Sequence, residues 1–592
     1  MAVFETNHSS KVLDDTIPLT CVIESAQNVG SHIEYIVRVQ RGAVVENNWT
    51  IKKRYSDFVA LDAELHMSNI ELAIPPKKMF GNMEREFVAE RQLGLQQYLN
   101  SILEYPLLAS SLIVKRFLNA KSYSDNLRET ALQHVSMIFR SEPKWEVVEP
   151  LHNLGWRLRK HYIVVKPYEN PKERQLLSWN DYGPFKFLPA KELMAVIKLL
   201  PNLQHPFIAP MEFAVANENG GMVIRSFYEH GTLRDYICKC KPKQAHFLKK
   251  YARPKTYCVL ETREIQRYGR QILEVLKFLY DKGLPYGHLH AGNIVVNRNT
   301  CQLLDLENWI LGLPSYYKNF FVQFKKLQKM ESIEVYSFGR LLYEMAFGEQ
   351  LLKATCDTFP QHCPPDLRSV LELLLTSEAC KNELPTINDL LNHPFFSSIV
   401  LPQSDKPIFK IPSKLKESIK SAKELLEKHL KEEQKLINQL KRLTKAKEFH
   451  MSEGEKLRRR KTKKKEKALE NSKDDSSVSN SSTSASQIVG NGTASAGVPG
   501  TNFAPAAPSI QSPPPPPPPP PPLMSSTVPV AKSSNAPPPP APPPPPPAAS
   551  NKSTTATAAP SNDRTALLNS ICGFSKGGLK SVKVNDRSKP KV

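Results

Sequence analysis

Near the N-terminus, Arg54, Tyr55, Lys78 and Arg91 are residue types that could hold a phosphate. A phosphate needs fixed positive donors, and the planar arginine fork matches two of its oxygens. Arg91 falls four residues after Phe87 and four before Leu95, on a helix whose apolar stripe continues through Tyr98 and Ile102. A charge on such a stripe needs a partner, and a bound anion would be one. Met79 and Phe80, beside Lys77 and Lys78, form an apolar tip suited to entering a lipid headgroup region. The competing reading is that Arg54 and Arg91 form internal ion pairs while the lysines merely face water. At the far end, Leu567, Leu568 and Ile571 share one face of a short amphipathic helix, expected to fold only on a partner. Ahead of it, residues 513–522 are ten consecutive prolines, with further runs at 537–540 and 542–547. Such runs prefer extended polyproline II, which docks on aromatic grooves.

Several elements must position these groups. Ile33, Tyr35, Val37 and Val39 alternate with polar neighbours, the pattern of a half-buried strand. Phe58, Leu61 and Leu65 follow a helical period behind Ser56, a residue type that can cap it. AIPPKK breaks the pattern, and a long helix is predicted from Glu84 to Glu104. Residues 140–400 mix strand and helix signals, and residues 413–470 read as a helix rich in Lys, Glu and Leu. There Leu415, Ile419, Ala422 and Leu426 keep a heptad seam, as do Leu436, Leu440 and Leu443. His429 and Glu433 interrupt that seam and argue against a stable coiled coil.

Of 51 prolines in 592 residues, 25 follow residue 500, a density no globular core can use. The net charge of +22 is local: +11 in residues 410–470, +6 in 550–592, and only +5 in 1–409. The folded part is therefore no general nucleic-acid binder. Nine cysteines without a CxxC pair read as reduced thiols of a cytosolic protein. No apolar run approaches the ~18 residues of a membrane span, so membrane contact is expected to be peripheral. The basic run at 458–467 has three readings: a nuclear localisation signal, an anionic-lipid patch, or a solvated charge run.

The string KKRYSDF, with the downstream IPPKK and Arg91, resembles the signature of PX (phox homology) domains. That resemblance implies a phosphoinositide-binding module over residues 14–125, favouring phosphatidylinositol 3-phosphate on endosomal or plasma membranes. Arg54 would meet the 3-phosphate, Tyr55 the underside of the inositol ring, Lys78 the 1-phosphate and Arg91 the ring hydroxyls.

Residues 140–400 resemble a bilobal protein kinase: LPNLQHPFI, YEHGTLRDYI, YGHLHAGNIVVN, LLDLEN and IEVYSFGRLLYEMAFG stand in kinase order. The chemistry departs from that pattern. His288 stands where the catalytic Asp is expected, Val196 where a helix Glu should pair the strand lysine, and no GxGxxG precedes them, with Gly155 alone. Lys166 lies too far from the helix, and the better-spaced LLSW has no lysine. Asn293 and Asp305 remain as the two metal ligands, leaving room for weak Mg-ATP binding, and His288 could accept a proton near pH 7. No catalytic residue and no required cofactor is assigned, and a pseudokinase is expected. The alternative is an atypical active Ser/Thr kinase using Asp305 and Asn293.

Residues 561–583 resemble the WASP homology 2 actin-binding motif, with Leu567, Leu568 and Ile571 on the helix and Leu579, Lys580 and Val582 in its extended element. The expected fold class is thus multidomain α+β: a PX domain, a kinase-like bilobal domain, a basic helical segment (413–470), a disordered Ser/Ala/Pro-rich linker (471–560) and the actin motif. The order is similar to that of the PX domain-containing kinase-like family. That likeness implies a cytoplasmic scaffold in membrane-protein trafficking, with the sodium/potassium ATPase as client. Actin, and profilin, SH3 or WW proteins on the prolines, complete the expected partners.

Overall fold

The computed structural model describes residues 12–78, 83–152, 154–243, 246–401 and 407–471. The first block opens with an antiparallel sheet of β1 (Leu19–Val29), β2 (His32–Arg41) and β3 (Asn48–Arg54). The predicted alternation in β2 places Tyr35, Val37 and Val39 inside, against Phe58, Leu61 and Leu65 of α1 (Tyr55–Leu65). Ser56 does not cap α1. The helix starts one residue earlier, and Asp57 closes its first turn by accepting from the Arg54 backbone N–H at 3.0 Å. The long helix α2 (Arg85–Glu104) lies on the sheet through Leu95, Tyr98, Leu99 and Ile102. A bulge between Ile23 and Ser25 would leave backbone groups of β1 unpaired. Two glutamines one turn apart on α2 satisfy them: Gln96 accepts from Ile23 N at 2.8 Å, and Gln92 donates to Ile23 O at 2.9 Å.

Helices α3 (Pro106–Ser110), α4 (Leu112–Leu118) and α5 (Leu127–Ser141) lead into the second block. Its first lobe is a five-stranded antiparallel sheet in the order β4 (Trp145–Leu151), β5 (Lys160–Pro167), β6 (Gln175–Asp181), β8 (Gly220–Ser226), β7 (Phe213–Ala216). α5 covers one side with Ala131, Val135 and Ile138, while α6 (Ala190–Leu199) contributes Leu193, Val196 and Ile197 to the main core. The second lobe is helical: α7 (Leu233–Ile237), α8 (Phe247–Tyr251), α9 (Thr262–Lys282), α10 (Glu307–Ile310), α11 (Lys318–Phe321) and α12 (Met330–Phe347), with the small ribbon of β9 (Ile294–Asn297) and β10 (Thr300–Leu303). Four shorter helices close it: α13 (Pro365–Leu375), α14 (Ser377–Lys381), α15 (Ile387–Asn392) and α16 (Pro394–Ser397). α12 is buried nearly all round, so its charges need internal partners. Glu334 accepts from the Tyr286 and Gly287 backbones at 2.8 and 3.2 Å, and Glu344 pairs with Arg234 at 2.9 Å.

The two blocks do not behave as beads on a string. Phe247 and Leu248 of α8 sit in the same apolar cluster as Leu107 and Leu108 of α3, so the second block completes the core of the first. The last helix, α17 (Ser413–Asn471), buries Ile419, Ala422, Leu426 and Leu430 against the kinase-like block. The residues that break its heptad are contacts. His429 lies against the rings of Phe185 and Phe187, with centroids 5.3 and 6.2 Å away, and Glu433 reaches Lys318 at 2.7 Å. Lys318, with a side chain 2% exposed, also pairs with Asp14 at 2.8 Å, so one ammonium joins the N-terminal segment, α11 and α17. Burying an ammonium costs several kcal/mol, which two carboxylates at this distance offset.

Candidate functional site

Two places carry the residues singled out above. In the first block, the Tyr55 hydroxyl donates to the Pro75 carbonyl at 2.5 Å, fixing the loop that leads to Lys78. That loop presses on α2 so closely that a Cβ at Gly94 would meet Pro75 at 2.6 Å, which is why glycine stands there. Arg91 is buried and stacks its guanidinium between the rings of Tyr55 (4.3 Å) and Phe87 (4.2 Å). Lys78 lies over the same Phe87 ring at 4.5 Å and reaches Glu84 at 3.5 Å. Arg54, more than half exposed, makes a 3.3 Å contact with Asp57. Arg54, Tyr55, Lys78 and Arg91 thus cluster on one rim of the sheet, with two aromatic faces ordering the cations between them. Met79 and Phe80 lie outside the described residues, as do Leu567, Leu568, Ile571, Leu579, Lys580 and Val582.

The second place is the cleft between the lobes. Asp305 has φ +60°, a left-handed conformation that costs a non-glycine residue energy and that aims its carboxylate into the cleft. Lys160 of β5 meets that carboxylate at 2.6 Å and Arg225 of β8 at 2.9 Å. Arg225 also binds both oxygens of Glu307 at 3.0 Å, while Lys160 donates to Asn308 at 3.0 Å. All four charges are buried and they balance. Burial pushes the Asp305 carboxyl up, but Lys160 and Arg225 overcome this and hold it at about 2.

Arg157 donates to His288 Nδ1 at 3.0 Å and to the Pro314 carbonyl at 3.0 Å. With its lone pair taken, and with burial, Arg157 and Lys160 holding its pKa well below the ordinary value, His288 is neutral and cannot act as the base entertained from the sequence. His290 is likewise buried and neutral, its Nδ1 accepting from Gly292 N. Asn293 donates to the His288 carbonyl at 3.0 Å. Val196 is 1% exposed and belongs to the apolar core, so no acid on α6 faces the cleft from that position.

Mg-nucleotide does not fit these residues. The metal-ligating oxygens of Asp305 are already occupied by two cations, and Glu307 adds a second buried carboxylate committed to the same pair. The remaining cavity is about 100 Å³, against roughly 300–1,000 Å³ for a typical small-molecule pocket. It is walled by Trp156, Phe227 and Leu304, and Leu107 of the first block also lines it. Among the described residues no cluster of His, Cys, Asp and Glu could hold a metal ion.

Lys160, Arg225 and the pairing role of Glu307 escaped the sequence reading, which weighed Lys166 of β5 and the lysine-free LLSW of β6. Lys166 instead pairs with Glu146 at the surface, 2.9 Å away, and Ser178 stands at the centre of β6 with its hydroxyl toward Glu307. A signal was present: Arg225 interrupts the apolar run of β8 just as Arg91 interrupts that of α2.

Comparison with known proteins agrees with this geometry. Residues 43–121 match the PX domain family. The chain is 53% identical over 447 residues to the PX domain-containing protein kinase-like protein of Mus musculus, covering 75% of this chain and 77% of that one. It is 30% identical over 289 residues to a probable inactive serine/threonine-protein kinase, slob1, of Dictyostelium discoideum, covering 43% and 48% of the two chains. A Drosophila melanogaster relative, Slowpoke-binding protein, is 31% identical over 286 residues, covering 45% and 55%.

The charge network makes a signed prediction. The folded pKa of Asp305, about 2, lies below its ordinary 3.8, so its contribution is fully present above 3.8 and is lost as pH falls through 2. In urea unfolding, the stability gap between wild type and Asp305→Asn is expected to be widest at neutral pH. It should narrow by about 2 kcal/mol as pH falls from 4 toward 2. A gap independent of pH would show that the carboxylate is not ion-paired.

Proposed function

The chain belongs to the family of PX domain-containing protein kinase-like proteins, and from that premise we infer that it is a peripheral membrane scaffold whose kinase-like domain binds proteins rather than transferring phosphate. The observation that carries this reading is the capture of Asp305 by Lys160 and Arg225. Phosphoryl transfer depends on metal ions that neutralise developing charge, and here the lobes spend that carboxylate on holding themselves together. Purified full chain given labelled ATP with Mg or Mn in single turnover is expected to transfer no γ-phosphate above an Asp305→Ala control. Transfer that vanishes in the control would make the protein an atypical kinase.

Membrane selection is assigned to Arg54, Tyr55, Lys78 and Arg91, with phosphatidylinositol 3-phosphate as the favoured headgroup on endosomal or plasma membranes. No helix among the described residues is long and apolar enough to cross a membrane. Arg54→Ala is expected to abolish binding to vesicles carrying phosphatidylinositol 3-phosphate at physiological salt, since Arg54 is exposed and its loss leaves the core intact. Unchanged binding would remove the assignment.

The client is proposed to be a membrane protein held on the kinase-like surface. A relative named for binding Slowpoke supports a protein client, and the resemblance read from the sequence implies the sodium/potassium ATPase. Residues 561–583 would add actin, and the proline runs profilin, SH3 or WW proteins. Affinity purification of the full chain is expected to recover actin and ATPase subunits. Replacing Leu567 and Leu568 together by alanine should lose actin alone. Actin retained by that double variant would reduce the motif to a chance match.

A further inference from the structure

The character of α17 changes halfway along its length. Up to Leu430 its apolar residues face the kinase-like block, and that side continues through buried Gln434 and half-buried Ile437 to Lys441, which donates to Gln323 at 3.1 Å. From 441 through 449 every residue is exposed. Residues 413–433 hold five glutamates, whereas 434–447 hold no acid and carry Lys435, Lys441, Arg442, Lys445 and Lys447. A helix that only stands in water gains support from Glu–Lys pairs one turn apart, and this stretch has none to offer before Glu448. Large apolar side chains take their place. Leu436 is 47% exposed, Leu443 50% and Phe449 65%, with Leu440 half-buried. Single exposed leucines are ordinary on a protein surface, but these keep a helical spacing.

At 3.6 residues per turn, Leu440 and Leu443 lie within about 40° of Leu436, while Phe449 lies roughly 140° round the helix from it. One flat apolar surface, such as a bilayer, can therefore take the leucine face but not Phe449 as well. A partner that takes all four must grip the helix from two sides, and an acidic one complements the five cations. We infer that residues 436–449 are a docking helix for a calcium-loaded, acidic EF-hand protein of the two-lobed sensor class. Calcium opens a methionine-rich apolar groove in such sensors, and grooves of this kind take amphipathic helices. One lobe would seat Leu436, Leu440 and Leu443, and the other Phe449, about 20 Å along the axis from Leu436. Gripping the helix there displaces the Lys441–Gln323 bond and the partial burial of Ile437, while Leu426 and Leu430 keep α17 on the kinase-like block.

The probe is calmodulin, titrated calorimetrically against the full chain at physiological salt with calcium or with EGTA. Vesicles containing phosphatidylserine form a second arm. Wild type is expected to bind calmodulin with calcium and not without it. Leu436→Gln together with Leu443→Gln should weaken binding by about tenfold or more, and Phe449→Ala alone by about fivefold. Leu425→Gln, on the same helix face and 48% exposed but outside the stretch, should leave binding unchanged. Replacing Arg442, Lys445 and Lys447 by glutamine should lower the affinity and flatten its dependence on salt. All of these positions are exposed, so melting temperatures without calmodulin should match that of wild type. No calcium-dependent binding by wild type, binding that survives the double leucine variant or Phe449→Ala, or binding lost in Leu425→Gln would overturn the proposal. Vesicle binding that depends on the leucines while calmodulin is ignored would make the stretch a membrane-surface helix, and would overturn it too.

Discussion

A carboxylate taken out of water must be given a counter-charge, and the interior of this protein is organised around how Asp305 obtains one. Lys160 and Arg225 come from two strands of the upper lobe, and Asp305 with Glu307 from the loop beneath. The four charges therefore cross the interlobe cleft and hold it shut. In an active phosphotransferase that carboxylate must be free to hold a metal ion. Here the same residue acts as a cross-brace, its carboxylate held by two ion pairs from a left-handed backbone. Every other departure is consistent with this one. Val196 is apolar and buried while Lys160 finds its acid in Asp305 instead, and His288 is buried with Arg157 on its Nδ1.

The same economy of charge explains why the PX block and kinase-like block pack as one unit. Lys318 is buried at a junction where Asp14 and Glu433 approach from opposite ends of the described chain. α8 adds apolar area, since Phe247 and Leu248 would be exposed if the first block swung away. Exposing two large apolar side chains would cost roughly 1.5–3 kcal/mol each, so the docked arrangement is the stable one. A headgroup bound at Arg54, as proposed, would therefore fix the orientation of the whole packed unit relative to the membrane.

Much of this was legible in the residue pattern, and the failures share a cause. The alternation of β2, the span of α2 and the degraded cleft follow from local periodicity and from motifs whose spacing is rigid. What could not be read were pairings between residues far apart in sequence: Lys160 with Asp305, Arg225 with Glu307, Lys318 with Asp14. A lysine on β5 reaches the cleft as easily as one on β6, because the sheet brings Lys160 opposite Asn180, two residues past Ser178. Motif spacing along the chain does not record that equivalence. His429 and Glu433 mislead for the converse reason: they look like defects in a seam until Phe185 and Lys318 are seen to face them. Ser56 fails more simply, since Asp57, the next residue, offers the acceptor that closes the turn.

The proposed membrane contact would gain from this construction. A single headgroup contact is weak, and multivalent attachment strengthens it only where the second contact is tethered at a useful distance. The basic residues at 458–467 lie on α17, whose earlier turns are packed on the kinase-like block through Leu426 and Leu430. A helix rises about 1.5 Å per residue, so a stretch some 30 residues beyond that anchor is carried roughly 45 Å away. Long-range attraction between such a patch and anionic lipid is screened within about 8 Å at physiological salt. On the anionic-lipid reading, the patch would contribute only where the helix holds it against the bilayer, and the packing of α17 through Lys318 would then bear on membrane affinity as well as on stability.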